Sequence, residues 1–177
     1  MPFYHDLKTY RDDPRHADYP GMADWIARRL LTLRYDLKQA IIKDRRPNSL
    51  IVGSWNIRAF DGGLPRLPES LHYITEVVSA FDICAIQEVR EDMTALQRLM
   101  RLLGPNWDYF VTDVSRHEGG NHERMAFVFN RDKVFFRNII GEIVLRSDAL
   151  STGRQIARSP FFAAFQAHWF RFTLCSA

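Results

Sequence analysis

Two short stretches constrain the fold more than any other part of this sequence. They are Leu50-Ile51-Val52-Gly53-Ser54-Trp55-Asn56-Ile57-Arg58 and Phe81-Asp82-Ile83-Cys84-Ala85-Ile86-Gln87-Glu88-Val89-Arg90. Each is an apolar run that ends in polar, oxygen-bearing side chains. Runs of this length with β-branched residues read as buried strands. Between them, from Pro68 to about Ala80, Leu71, Ile74, Val77 and Val78 make the apolar face of a helix. Strand, helix and strand form a β-α-β unit, whose strands run parallel. Parallel neighbours bring Asn56 and Glu88 to one edge of the sheet. In open α/β sheets, sites form outside the carboxyl ends of the strands. A carboxylate and a carboxamide meeting there make a hard-oxygen site that suits Mg²⁺ (or Mn²⁺).

The rest of the chain divides around this unit. Residues 1–21 form a polar, turn-rich leader with Pro2, Asp12-Asp13-Pro14 and Tyr19-Pro20-Gly21, and little to pack. His5 and His16 in it read as solvated. Residues 22–46 form an amphipathic helix with Ile26, Leu30, Leu33, Leu37 and Ile41 on one face and Arg28, Arg29, Arg34 and Lys38 on others. Pro47 prevents its continuation. Asp61-Gly62-Gly63-Leu64-Pro65 is a loop. A third helix begins at Glu91-Asp92, carries Met93, Leu96, Leu99, Met100 and Leu103, and stops at Gly104-Pro105. Trp107 to Thr112 is a strand. Met125 to Asn130 and Val134 to Ile140 read as a hairpin joined at Arg131-Asp132. Pro160 to Gln166 and His168 to Ser176 are the last two strands, and the sequence stops in mid-strand. Residues 115–121 and 146–157 are loop-like. His117, Glu118 and His122 match no metal-binding motif.

Composition sets wide bounds. A chain of 177 residues can bury one real core, and its charge of +3 permits a polyanionic partner without demanding one. The Arg excess mildly favours planar phosphate contacts. Cys84 and Cys175, the two cysteines, sit in apolar runs and read as reduced core residues. No run is long enough to span a membrane, and no apolar signal core opens the chain. The default compartment is a reducing cytoplasm.

Four stretches together resemble the signatures of the endonuclease/exonuclease/phosphatase superfamily, the DNase I-like fold. They are Trp55-Asn56-Ile57-Arg58, Ile86-Gln87-Glu88-Val89-Arg90, Glu123-Arg124-Met125-Ala126-Phe127-Val128-Phe129 and Arg158-Ser159-Pro160-Phe161, in the family's order and spacing. The resemblance covers residues 47–177 as the N-terminal half of the family's domain. It implies a four-layer α/β sandwich (α+β), truncated to roughly its first half and preceded by the N-terminal helix. It implies Glu88 as the Mg²⁺ ligand and Asn56 as a holder of metal or phosphate. Glu123 would orient an imidazole, and Arg158 would contact the scissile phosphate through its planar fork. Asn121 stands at the phosphate-contacting position where many nuclease members carry Tyr, a departure from the pattern.

The resemblance implies Mg²⁺-dependent phosphodiester hydrolysis of a phosphate-ester substrate, nucleic acid foremost. The family's downstream His, Gly-Asp-x-Asn and Ser-Asp-His motifs are absent, so the chain alone is expected to have negligible activity. A phosphomonoesterase or lipid phosphodiesterase of the same superfamily is an alternative, as is a non-catalytic binding module or gene fragment. If each half of the domain supplies one sheet, the inner face of this sheet is exposed and the chain self-associates.

Overall fold

The computed structural model describes residues 1–8, 21–43, 45–60, 66–67, 69–114, 122–144, 146 and 159–177. The elements run in the order α1 (Met22–Leu37), β1 (Val52–Phe60), α2 (Ser70–Val78), β2 (Ile83–Arg90), α3 (Thr94–Leu103), β3 (Trp107–Val111), β4 (Glu123–Asn130), β5 (Phe135–Glu142), β6 (Phe161–Ala167) and β7 (Phe170–Ser176). A π-helical turn, Lys38–Ile42, extends α1. The strands form a four-stranded sheet in the order β1-β2-β4-β3 and a three-stranded sheet in the order β5-β6-β7.

β1 and β2 are parallel, and Asn56 lies opposite Gln87. The β-α-β unit is therefore present as the apolar runs require. Ile57, Cys84, Ile86 and Val89 turn to one face and pack with Leu71, Ile74 and Val78 of α2 and Leu96, Leu99 and Leu103 of α3. Alternate residues turn to the other face. There Ile83, Ala85, Met125, Phe127 and Phe129 meet Phe161, Ala163 and Phe165 of the second sheet. Phe127 stacks on Phe161 with ring centroids 4.8 Å apart. Burying each such ring contributes about 1.5–3 kcal/mol. The layers are helices, sheet, sheet.

The structure corrects four expectations. The chain supplies strands to both sheets, so its own second sheet covers the inner face of the first. β4 and β5 are not a hairpin. β4 pairs with β2 and β3, whereas β5 pairs with β6, so the Arg131–Val134 turn carries the chain from one sheet to the other. Cys175 is exposed rather than in the core, although both cysteines are free as expected. Cys84 is buried, and burial pushes its thiol up to about 12. The third helix starts at Thr94 because β2 runs on to Arg90 and Met93 takes a left-handed conformation, φ 57°.

The start of the chain packs more than its polarity suggests. The Phe3 backbone N–H donates to Leu102 O at 2.7 Å. Gly104 has φ 93°, and a Cβ there would collide with the Phe3 ring, so only glycine fits. His72, fully buried on α2, donates from Nε2 to Asp6 Oδ1 at 2.8 Å. The Tyr4 hydroxyl donates to Glu76, whose carboxylate also accepts from Arg34 of α1 at 2.6 and 3.0 Å. These contacts fix α1 on α2, with Ala23, Ile26 and Leu30 buried between them. The predicted loops at 61–65, 115–121 and 147–157 lie outside the described residues, as do His16, His117 and Glu118.

Asp82 ties the base of the sheet. It is fully buried, and its Oδ2 accepts from the Ile51 backbone N–H at 2.8 Å and from Lys133 Nζ at 2.9 Å. Arg45 closes on its other oxygen. One carboxylate thus joins the segment before β1, the start of β2 and the turn between the sheets. Removing one partner of a buried ion pair leaves uncompensated charge. Asp82→Ala is expected to destabilise the protein by about 3 kcal/mol, read from the midpoint of urea unfolding; a midpoint equal to that of wild type contradicts the role.

Candidate metal-binding rim

The candidate site lies where β1 and β2 end. Both strands are irregular there. Pairing of β1 with β2 slips between Asn56 and Phe60, and pairing of β2 with β4 slips between Ile86 and Val89. Within these slips Ala59 has φ 44° and Glu88 has φ 60°. Left-handed backbone costs a non-glycine residue about 1–2 kcal/mol. Bulges of this kind re-aim a side chain beside a site. Here the result is specific. Asn56 Nδ2 donates to Glu88 Oε1 at 2.8 Å, and the Ala59 backbone N–H donates to Glu88 Oε2 at 2.8 Å. A carboxylate can only accept, so the Asn56 amide must turn its nitrogen to Glu88, and its oxygen remains for another partner.

Other residues frame the rim. Glu123 is buried at the start of β4, directly across from Arg90, and Arg90 Nη1 lies 3.6 Å from its Oε1. Arg124 turns away and donates to Thr112 O at 2.7 Å. His122 is exposed, 3.4 Å from Glu91. The structure thus brings Asn56 and Glu88 into contact and sets Glu123 on the adjacent strand beside Arg90. Asn121 and Arg158 lie outside the described residues.

Two contributors escape a reading of the sequence. The Ala59 N–H has no side-chain signature. Gln87 Nε2 donates to Ser176 Oγ at 2.9 Å and to Ser54 Oγ at 3.3 Å, and so ties the last strand of the second sheet to the rim of the first. A signal existed: Gln87 shares its strand face with Ala85 and Ile83, which face the second sheet. A cavity of about 400 Å³ opens there, lined among others by Ser54, Asn56, Gln87, Leu174 and Ser176. Glu88 does not line it.

Among the described residues no group of three or more His, Cys, Asp or Glu side chains could hold a metal. The donors at the rim are one carboxylate and one amide oxygen. That set fits Mg²⁺, which commonly keeps several waters and takes one or two carboxylates. Among the described residues no helix is long and apolar enough to cross a membrane.

The chain belongs to the endonuclease/exonuclease/phosphatase family, whose model matches residues 53–164. Among curated proteins it is similar to deoxyribonuclease-1 of Equus caballus, 33% identical over 90 residues, 49% of this chain and 32% of that protein. Among solved structures it is similar to the human Nocturnin catalytic domain with bound sulfate anion, at 17% identity and a TM-score of 0.50, covering 71% of this chain and 48% of that one. A humanized D. rerio TDP2 aligns at 14% identity with a TM-score of 0.46, over the same shares. The chain spans about a third of the deoxyribonuclease and about half of each solved chain.

Glu88→Gln keeps the shape of the side chain but replaces one acceptor oxygen with a donor. Either Asn56 or Ala59 then faces an N–H. The expected cost is about 1 kcal/mol in urea unfolding, and an unchanged midpoint would mean that the paired hydrogen bonds do not hold the rim.

Proposed function

We propose that this chain carries the metal-binding rim of a Mg²⁺- or Mn²⁺-dependent phosphodiester hydrolase acting on nucleic acid. The observation that carries the reading is the Asn56–Glu88 contact at the end of two parallel strands. Glu88 is the carboxylate ligand. Asn56 and the Ala59 N–H orient it, and the Asn56 amide oxygen is offered to metal or phosphate. When bound, the cation neutralises charge on the phosphoryl oxygens. Glu123 positions a neighbouring group rather than touching substrate, and by family resemblance Arg158 is assigned a phosphate contact, while Asn121 stands where that resemblance departs from the nuclease pattern. Similarity over 90 residues to a deoxyribonuclease supports nucleic acid over the phosphomonoester and lipid alternatives.

The family's general base, a contribution of about 10²–10⁴-fold, is not among the assigned residues, and we propose that the chain by itself binds metal with little turnover. Titration of Mn²⁺, followed by its electron spin resonance, is expected to show a site in the intact chain that is absent from Glu88→Ala. Identical titrations of the two proteins would overturn the assignment; metal-dependent cleavage of DNA by the chain alone that Glu88→Ala abolishes would support it and overturn only the expected lack of turnover.

A second reading concerns self-association. Large apolar side chains are exposed on β5 and just beyond it, with Ile139 at 58% and Val144 at 69%, and Trp169 at the β6–β7 turn is at 82%. Among the described residues no helix covers the second sheet. Exposed apolar groups of this extent favour contact between copies. Sedimentation velocity is expected to show dimers or larger species growing with concentration; a monomer at all concentrations would exclude this.

A further inference from the structure

The outward side of α1 is not explained by the rim or by the packing of the sheets. The inward side is occupied: Ala23, Ile26 and Leu30 are buried against Tyr4, Leu7 and Tyr73. Outward, Trp25 is 47% exposed and Leu31 and Tyr35 are each 62% exposed. Arg28, Arg29, Thr32 and Lys38 are exposed with them. The Arg29 guanidinium stacks over Trp25, 5.2 Å from the ring centroid. Two aromatic rings thus stand roughly 15 Å apart along the helix axis, with two arginines between them.

We propose that this face of α1 docks single-stranded nucleic acid. Exposed aromatic rings give stacking platforms that every base can use, and interleaved arginines meet the phosphates. Asp24 and Asp36 lie on the same helix, and Arg28, Arg29 and Lys38 outnumber them on the exposed side. A membrane surface fits less well. A helix that lies in a bilayer needs a continuous apolar face, and that face of α1 is already covered by the protein. The inference extends the nucleic-acid reading of the rim, but it stands on different residues.

The test uses the intact chain and a labelled oligodeoxythymidylate, followed by fluorescence anisotropy. Affinity is expected to fall as salt rises. Trp25→Ala should weaken binding about tenfold. Arg28→Gln and Arg29→Gln should each flatten the log–log salt dependence by about 0.7. Arg28 and Tyr35 are well exposed, so their variants should unfold near the wild-type midpoint. Mn²⁺ titration of Trp25→Ala should match that of wild type, so the rim reading and this one can fail separately. Unchanged binding by Trp25→Ala and Tyr35→Ala would overturn the proposal. So would binding to vesicles containing phosphatidylserine with none to the oligonucleotide.

Discussion

The register between β1 and β2 is the constraint on which the site depends. The strands run parallel with Asn56 opposite Gln87, and so Glu88 arrives beside Asn56 at the same end. A shift by one residue would turn Glu88 to the other face of the sheet. Two things hold the register. One is the apolar burial of Ile83, Ile86 and Val89, all fully enclosed. The other is Asp82 at the opposite end, which grips the backbone at Ile51 and the cations of Arg45 and Lys133. Burial, and then the nearby Arg45 charge, holds the Lys133 ammonium below its usual range. The base of the unit is therefore tight and ionic, and the rim is bulged and open.

Much of this was legible in the residues. Apolar runs ending in Asn56 and Glu88 pointed to two parallel strands and one shared edge, and the side chains there are 2.8 Å apart. The helices were legible from their apolar spacing. Strand partners were not. An alternating pattern states that Met125–Asn130 and Val134–Ile140 are strands, but it carries no record of which sheet each joins. Proximity in sequence favours a hairpin; the stack of Phe127 and Phe129 on Phe161 and Phe165 decides otherwise, because two sheets bury more ring area than one.

Polar contacts were the other blind spot. Tyr4 and Asp6 look like ordinary leader residues, and only the fold reveals Glu76 and His72 waiting for them. Gln87 lies inside a stretch that the motif had marked, yet its bond to Ser176 depends on where the second sheet lands. Cys175 sits in an apolar run but on the outward side of an edge strand. In each case the residue type was plain and its partner lay far off in the chain.

The left-handed backbone at Ala59 and Glu88 also bears on how such a protein can change over generations. A β-branched residue at either position would meet a steric barrier before any question of chemistry arose. Drift at that corner is confined to small residues and to those that tolerate the conformation, such as Gly, Asn and Asp. A position can therefore look invariant among descendants for conformational reasons alone, and restraint at Ala59 would be no sign that its methyl group meets a substrate.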